Sequence, residues 1–179
     1  MTNTILQQPY RILAIAPTTR GFGFAVLEGV ESLVDWGVRR IEGDNKNSQA
    51  LTKVKALITQ CQPGLVVLQD ASAKNSRRAP RIKLLTKRII ALAKSHKIRV
   101  KLCSFEKTRQ IFFADGKGTK HVLAEILVNR FPGELTAFLP PKRRAWASED
   151  SHMGIFDAVA LAVAFRLQQT KPGQNRNDC

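Results

Sequence analysis

A short apolar run near the amino terminus constrains the fold more than any other feature of this sequence. Residues 12–16 contain no polar side chain, which is typical of a strand buried on both faces of a sheet. Residues 17–21 have turn chemistry and residues 22–27 resume strand-like composition, so the segment predicts a β-hairpin. Ligands of α/β sheets bind at the carboxyl ends of buried strands. We therefore expect the residue at position 16 to take part in any chemistry, yet it is Ala16.

The sequence after the hairpin predicts alternating strands and helices in one domain. Residues 49–61 have apolar side chains at helical spacing between strands predicted at 32–40 and 65–68, and such an arrangement indicates a parallel crossover. The remaining predicted elements are helices over about residues 80–97, 105–113, 120–131 and 151–169, a strand over 98–103, and a loop over 132–146. The predicted domain covers residues 1–170, and the polar residues 171–179 are expected to be a disordered tail.

The charge of the chain indicates a polyanionic partner. Its 29 Lys and Arg residues against 14 Asp and Glu residues give a formal net charge of +15. Nucleic acid is favoured over an acidic membrane surface, because the sequence has no lipid-anchor motif and no apolar run of membrane-spanning length. The absence of a secretory signal and of a Cys-x-x-Cys pair indicates a cytoplasmic protein with reduced thiols.

The basic residues are concentrated rather than spread along the chain. Between Lys74 and Lys101 there are eleven Lys or Arg residues and no acid, which favours phosphate contact over a merely solvated charged face. A second basic segment precedes Trp146, whose ring is suited to stacking on a base. The predicted nucleic-acid-binding residues are Arg77, Arg78, Arg81, Lys83, Lys87, Arg88, Lys117, Lys120, Lys142, Arg143 and Arg144.

Asp157 is the acidic residue whose position most needs an explanation. It is followed by eight apolar residues in the last predicted helix, so its carboxylate is expected to be buried. Burial of a lone carboxylate costs several kcal/mol unless a cation or hydrogen-bond donors compensate. Two interpretations remain open from the residues alone, a carboxylate at a helix start near the positive end of the dipole and a metal ligand.

Four segments together resemble a known family. The glycine-containing hairpin is followed by Pro-Gly-Leu-Val-Val-Leu-Gln-Asp at residues 63–70, Gly-Lys-Gly-Thr-Lys-His-Val at 116–122 and Phe-Asp-Ala-Val-Ala-Leu-Ala-Val at 156–163. In order and spacing, residues 11–167 resemble the RuvC-type Holliday-junction resolvases of the RNase H-like superfamily. The resemblance implies an α/β fold with a mixed five-stranded sheet flanked by helices. It also implies metal-dependent endonuclease activity in DNA recombination and repair, with two Mg²⁺ or Mn²⁺ ions held by an acidic cluster.

The acidic positions of that family match this sequence only in part. The terminal-helix aspartate falls on Asp157, whereas the first-strand aspartate falls on Ala16, the glutamate of the next central strand on Gln69 and a further acid on Gly154. A family lysine associated with DNA binding falls on Lys120. The candidate substitutes for the missing acids are Asp70, Glu149, Asp150 and His152.

Two main functional hypotheses follow from this partial match. The first is a RuvC-like protein that binds branched or duplex DNA with an impaired nuclease centre and no metal cofactor, because the matched positions supply one negative charge for two divalent ions. The alternative is an active, structure-selective Mg- or Mn-dependent endodeoxyribonuclease. Its catalytic residues would be Asp70, Glu149, Asp150 and Asp157, with Asp157, Asp70 and Asp150 as metal ligands.

A third hypothesis is a structural subunit that recruits other proteins. The resemblance also implies pairing of two copies through a helix near residues 80–97. The apolar stripe of that predicted helix is explained more simply as core.

Overall fold

The computed structural model describes residues 10–29, 31–71 and 79–170 of the 179-residue chain. The predicted tail 171–179 and the basic residues Arg77 and Arg78 lie outside the described residues. The strands are β1 (Arg11–Thr18), β2 (Gly21–Glu28), β3 (Ser32–Arg40), β4 (Leu65–Gln69) and β5 (Arg99–Cys103). The helices are α1 (Lys46–Cys61), α2 (Pro80–Ser95), α3 (Phe105–Phe112), α4 (Lys120–Arg130), α5 (Pro132–Leu135), a 3₁₀-helix (Thr136–Phe138) and α6 (Met153–Thr170).

The five strands form one mixed sheet in the order β3-β2-β1-β4-β5. The first three strands pair antiparallel as a meander, and β1, β4 and β5 pair parallel through helical crossovers. The predicted hairpin, the parallel crossover and the mixed five-stranded sheet of an α/β fold are confirmed. None of the helices in the described ranges is long and apolar enough to span a membrane.

Helices cover both faces of the sheet, because alternate residues of the central strands are buried on opposite sides. On one face Ala14, Ala16 and Ala25 pack with the apolar side chains of α6 and α4. On the other face Leu13 and Ile15 pack with side chains from α1 and α2. The small side chains on the first face leave room for α6 to lie close to the sheet.

The start of α6 is held against β2 by two glycines. A Cβ atom added to Gly23 would lie 1.8 Å from the carbonyl oxygen of Gly154, so the two backbones touch at a distance that only glycine permits. The helix begins at Met153 rather than at residue 151, because the side chain of Asp150 accepts the backbone N–H of His152 in the preceding turn. The close approach of Gly23 and Gly154 fixes which residues of α6 face the carboxyl ends of the strands.

The helix predictions differ from the structure mainly between residues 132 and 146. Instead of an uninterrupted loop, this segment begins with α5 and a 3₁₀-helix, and Pro132 occupies the first position of α5, where a missing N–H costs nothing. The predicted cap of α4 is confirmed, since the Thr119 hydroxyl accepts the N–H of Val122. The predicted stripe of α2 is core, because Ile82, Leu85 and Ile89 are buried.

Candidate functional site

The carboxyl ends of β1 and β4 lie side by side at one edge of the sheet. In the parallel register Ile15 is the partner of Leu68, so the next residues along each strand, Ala16 and Gln69, stand at the same level. Ala16 is buried at 1% exposure, and its methyl side chain has no atom that can bind a cation. Gln69 is buried at 8% exposure and contributes an uncharged amide. The two strand ends therefore lie side by side, as expected of a ligand-binding edge, but neither Ala16 nor Gln69 supplies a negative charge there.

Asp157 reaches this edge from α6. It lines a small pocket together with Gln69, and the other lining residues include Phe105, Thr108 and Leu123. Asp157 is the fifth residue of α6, beyond the first turn, so its burial is not explained by a position at the helix start. The structure thus brings together two of the predicted site residues, Asp157 and Gln69, beside Ala16.

The charge of Asp157 is compensated by Lys120, the first residue of α4. The Lys120 Nζ lies 2.9 Å from Asp157 Oδ2 and 2.6 Å from Glu149 Oε1, and the Asp157 side chain is only 11% exposed. Burial alone would lower the pKa of Lys120, but the negative charges of Asp157 and Glu149 and their hydrogen bonds outweigh it. The pKa of Lys120 is therefore raised, and the ammonium stays charged between its two carboxylates.

Of the other predicted acids, Glu149 shares the Lys120 ammonium with Asp157. Asp150 lies beside His152, with 3.0 Å between Oδ1 and Nδ1, and Asp70 follows β4, where its N–H donates to the carbonyl of Cys103. Among the described residues, no three His, Cys, Asp or Glu side chains are grouped so that they could hold a metal ion. The assignment of Asp70, Asp150 and Asp157 as metal ligands stays a prediction of the alternative hypothesis.

The donor set therefore does not fit a pair of divalent cations. Ala16 offers no ligand, Gln69 offers a neutral one, and Asp157 is bound by an ammonium group. Two divalent ions carry four positive charges, and affinity for hard cations depends on the negative charge of the ligands. Lys120, Asp157 and Glu149 together carry a net charge of −1, so this ion-paired group holds the buried Asp157 carboxylate and does not form a site for an anion.

Known structures share this fold. The structure of RuvC from Thermus thermophilus matches with a TM-score of 0.64 at 14% sequence identity, covering 89% of this chain and 95% of that one. The same protein in complex with a Holliday junction substrate matches with a TM-score of 0.64 at 16% identity, covering 92% and 99% of the two chains. The yeast mitochondrial Holliday junction resolvase matches with a TM-score of 0.64 at 11% identity, covering 90% and 79%. This chain has the RuvC fold. No protein-family model and no curated protein sequence matches it.

The RuvC fold places most of the predicted basic residues on the surface. The exposed members of the predicted set are Lys83, Lys87, Arg88, Lys117, Lys142, Arg143 and Arg144. Trp146 is 81% exposed, and the guanidinium of Arg144 lies 5.9 Å from the centre of its ring. Nucleic-acid contact by these side chains remains a prediction, and their exposure makes them accessible to such a partner.

Arg81 has a structural environment that the sequence did not indicate. Its guanidinium donates to the carbonyl oxygens of Thr18 and Thr19, at 3.1 and 2.9 Å, and to Oδ1 of Asn47 at 3.1 Å. Asn47 in turn donates to the carbonyl of Arg81. Arg81 thereby ties the start of α2 to the β1–β2 turn and to α1 in this RuvC fold.

Two sets of residues at this end of the RuvC fold were missed from the sequence. The pairing of Lys120 with Asp157 joins residues 37 positions apart, and the only available signal was that a buried carboxylate needs a cation. The second set is Arg39, Arg40 and Lys53, which line a groove beside α6. The two consecutive arginines at the end of β3 are a sequence signal for a local positive charge. Lys53 belongs to α1, so its place beside them could not be predicted from the sequence.

Proposed function

We propose that this chain is a DNA-binding protein of the Holliday-junction resolvase type that does not cleave DNA by the two-metal reaction. The observation that carries the proposal is the position of the Lys120 ammonium between Asp157 and Glu149. At the position where a two-metal centre would need negative charge, the chain has an internal ion pair. Binding of the DNA backbone and loss of the metal-dependent step are therefore proposed together.

The proposed DNA contacts lie on several parts of the fold. Lys120 is 34% exposed, but two carboxylates share its charge, so it is a weaker phosphate contact than a cation without an acidic partner. Lys117 lies in the glycine-containing turn just before α4, and further exposed cations lie in the segment before α6 and on α2, which covers the other face of the sheet. Trp146 offers a flat apolar face on which an unpaired base can stack. These groups position phosphates and bases without activating a nucleophile.

Branched or duplex DNA is the proposed partner. Two of the structures that share the fold, those of the Thermus thermophilus protein and the fowlpox virus resolvase, contain Holliday junction DNA. The fowlpox complex matches with a TM-score of 0.56 at 13% identity. The preference for a four-way junction over plain duplex is part of the proposal, as are the cytoplasmic location and the pairing of two copies. Because Ile82 and Leu85 face the core, the apolar residue that α2 offers to a second copy is Leu84, which is 45% exposed.

The test is the affinity of the chain for a fluorescently labelled four-way junction, a duplex and a single strand, measured by anisotropy between 50 and 200 mM salt. We expect tightest binding to the junction, and log K should fall linearly with log salt with a slope of about −0.9 for each phosphate contact. Replacing Lys142, Arg143 and Arg144 by Ala should make the slope shallower by about 3. Binding that does not change with salt would contradict phosphate recognition and favour a protein-recruiting subunit.

A further inference from the structure

A groove on the β3 side of α6 is separate from the pocket around Asp157. It has a volume of about 510 Å³ and is lined by the end of β3, by Lys53 of α1, by Phe138 and by Ser151 and His152 just before α6. The size is within the range of ligand-binding clefts, which is roughly 300–1,000 Å³. The groove is open at the surface, so it suits an extended ligand better than an enclosed small molecule.

The polar groups of this β3 groove are cationic and held in place. The Arg39 guanidinium lies 4.5 Å from the centre of the Phe24 ring, and the Arg40 Nη2 donates to Ser151 Oγ at 2.6 Å. The Lys53 Nζ donates to the carbonyl of Arg40 at 2.7 Å. Each side chain is thus oriented by a neutral partner and retains further N–H donors.

No carboxylate neutralises these three cations within the described part of the chain. Arg39, Arg40 and Lys53 form no salt bridge there, and none of the residues that line the groove is acidic. Asp150, just before the lining residue Ser151, is paired with His152. Three positive charges held at fixed positions without a carboxylate favour an anionic ligand. Guanidinium and ammonium groups of this kind bind phosphate oxygens by charge-assisted hydrogen bonds.

The strand register places the groove in line with the candidate centre. Ala16 pairs with Gly23 and Gly23 pairs with Val38, so the centre and the groove stand at one level of the sheet. They are two strands apart, which is about 10 Å at the usual strand spacing. The helix α6 passes over the sheet with Gly154 against Gly23, between the candidate centre on β1 and the groove on β3. An extended ligand lying along this edge of the sheet can therefore pass from the β3 groove across the start of α6.

We propose that the β3 groove binds the phosphodiester backbone of the DNA that is the proposed partner of this chain. The inference rests on the proposed function, because it assigns a second contact region to the same partner. Its three contributing residues come from β3 and α1, neither of which carries a predicted DNA contact.

The test is the salt dependence of junction binding by the Arg40→Ala/Lys53→Ala variant. If both side chains contact phosphates, its slope of log K against log salt should be shallower than that of the wild-type chain by about 2. The matched control is Lys55→Ala/Lys107→Ala, which removes the same net charge at two exposed positions away from the groove. We expect its slope to stay within about 0.5 of the wild-type value.

The outcomes separate the groove from the proposed function as a whole. Equal slopes for the groove variant and the control, with salt-dependent binding by the wild-type chain, would overturn the groove and leave the proposed function standing. Absence of salt-dependent binding by the wild-type chain would overturn both. Circular dichroism and thermal unfolding show whether each variant is folded. A second variant, Arg40→Lys/Lys53→Arg, keeps the charges and should retain the wild-type slope.

Discussion

The ammonium of Lys120 lies 2.9 Å from a carboxylate oxygen of Asp157, and this contact joins the first residue of α4 to the helix that crosses the sheet. It explains how a carboxylate followed by eight apolar residues can be buried. It also neutralises Asp157 at the carboxyl edge of the sheet, where Ala16 and Gln69 supply no further negative charge. The same contact therefore bears on stability and on metal binding.

Replacing Lys120 by Met should destabilise the chain, because Asp157 would be left without its cation. We expect a loss of about 1–3 kcal/mol in the free energy of unfolding, less than the 3–5 kcal/mol of a fully buried pair because Lys120 is one third exposed. Urea unfolding at pH 7 measures the loss. The double variant Lys120→Met/Asp157→Asn should recover most of it. Equal stability of Lys120→Met and the wild-type chain would mean that the ion pair contributes nothing.

The contribution of Lys120 should also depend on pH in one direction. The pKa of Lys120 is raised in the folded chain, so its stabilisation is fully present below the unfolded pKa of about 10.4 and is lost as pH rises through the folded value. The difference in unfolding free energy between wild type and Lys120→Met should therefore be constant from pH 7 to about 9.5 and should shrink at higher pH. A difference that grows above pH 10 would contradict the raised pKa.

Restoring the two missing acids should create a divalent-metal site. Ala16→Asp/Gln69→Glu adds two carboxylates beside Asp157, so Mn²⁺ is expected to bind in calorimetry and to raise the melting temperature of the variant. Cleavage of a four-way junction is expected as well if the surrounding geometry is intact. Ala14→Asp is the matched control, since it buries a carboxylate on the same face of β1 one pair of residues further in. Mn²⁺ should not raise the melting temperature of Ala14→Asp. A folded Ala16→Asp/Gln69→Glu variant that does not bind Mn²⁺ would contradict the prediction that these two acids are all the metal site lacks.

Arg81 and Lys83 should behave differently although both belong to the predicted DNA-binding set. Arg81→Ala removes hydrogen bonds to Thr18, Thr19 and Asn47, so we expect a loss of about 1–3 kcal/mol in stability. Lys83→Ala, which changes an exposed side chain, should leave stability within about 0.5 kcal/mol and reduce the salt slope of DNA binding by about 1. A reversed pattern in urea unfolding and anisotropy would refute the structural role of Arg81.

The contact between β2 and α6 can be tested at Gly23. Because an added Cβ would lie 1.8 Å from the Gly154 carbonyl oxygen, Gly23→Ala should push α6 from the sheet and cost at least about 1–3 kcal/mol. At Gly133 in α5 a Cβ would meet no atom within 4 Å, so Gly133→Ala should be neutral or slightly stabilising. Thermal unfolding of the two variants compares them directly, and equal melting temperatures would disprove close backbone packing at Gly23.

Much of the fold was predictable because its signals are local. The apolar run that forms β1, the helical spacing in α1 and the Thr119 cap of α4 are each encoded within a few residues. The start of α6 was placed two residues too early, because the turn stabilised by Asp150 has the composition of a helix start. The short helix beginning at Pro132 was missed because four residues carry no periodic pattern.

The site was less predictable because its contacts are long-range. The basic character of Lys120 was evident, but its pairing with Asp157 depends on how α4 packs against α6. In the sequence Arg81 is indistinguishable from its exposed basic neighbours. Its structural role depends on hydrogen bonds to the β1–β2 turn, which is more than 60 residues away in the chain. The β3 groove combines Arg40 and Lys53, which are brought together only by the packing of α1 beside the meander. The composition predicts a basic surface. The fold is needed to tell basic side chains that are exposed from those that are held by structural hydrogen bonds.

The central claim is that this chain binds junction DNA and lacks the ligands for two-metal cleavage. The most direct measurement is incubation of the purified chain with an end-labelled four-way junction in Mg²⁺ and in Mn²⁺, with binding followed by gel shift and products resolved on a denaturing gel. We predict a retarded junction complex whose strands remain intact in both metals. Metal-dependent nicks at defined positions, lost in the Asp157→Asn variant, would contradict the claim.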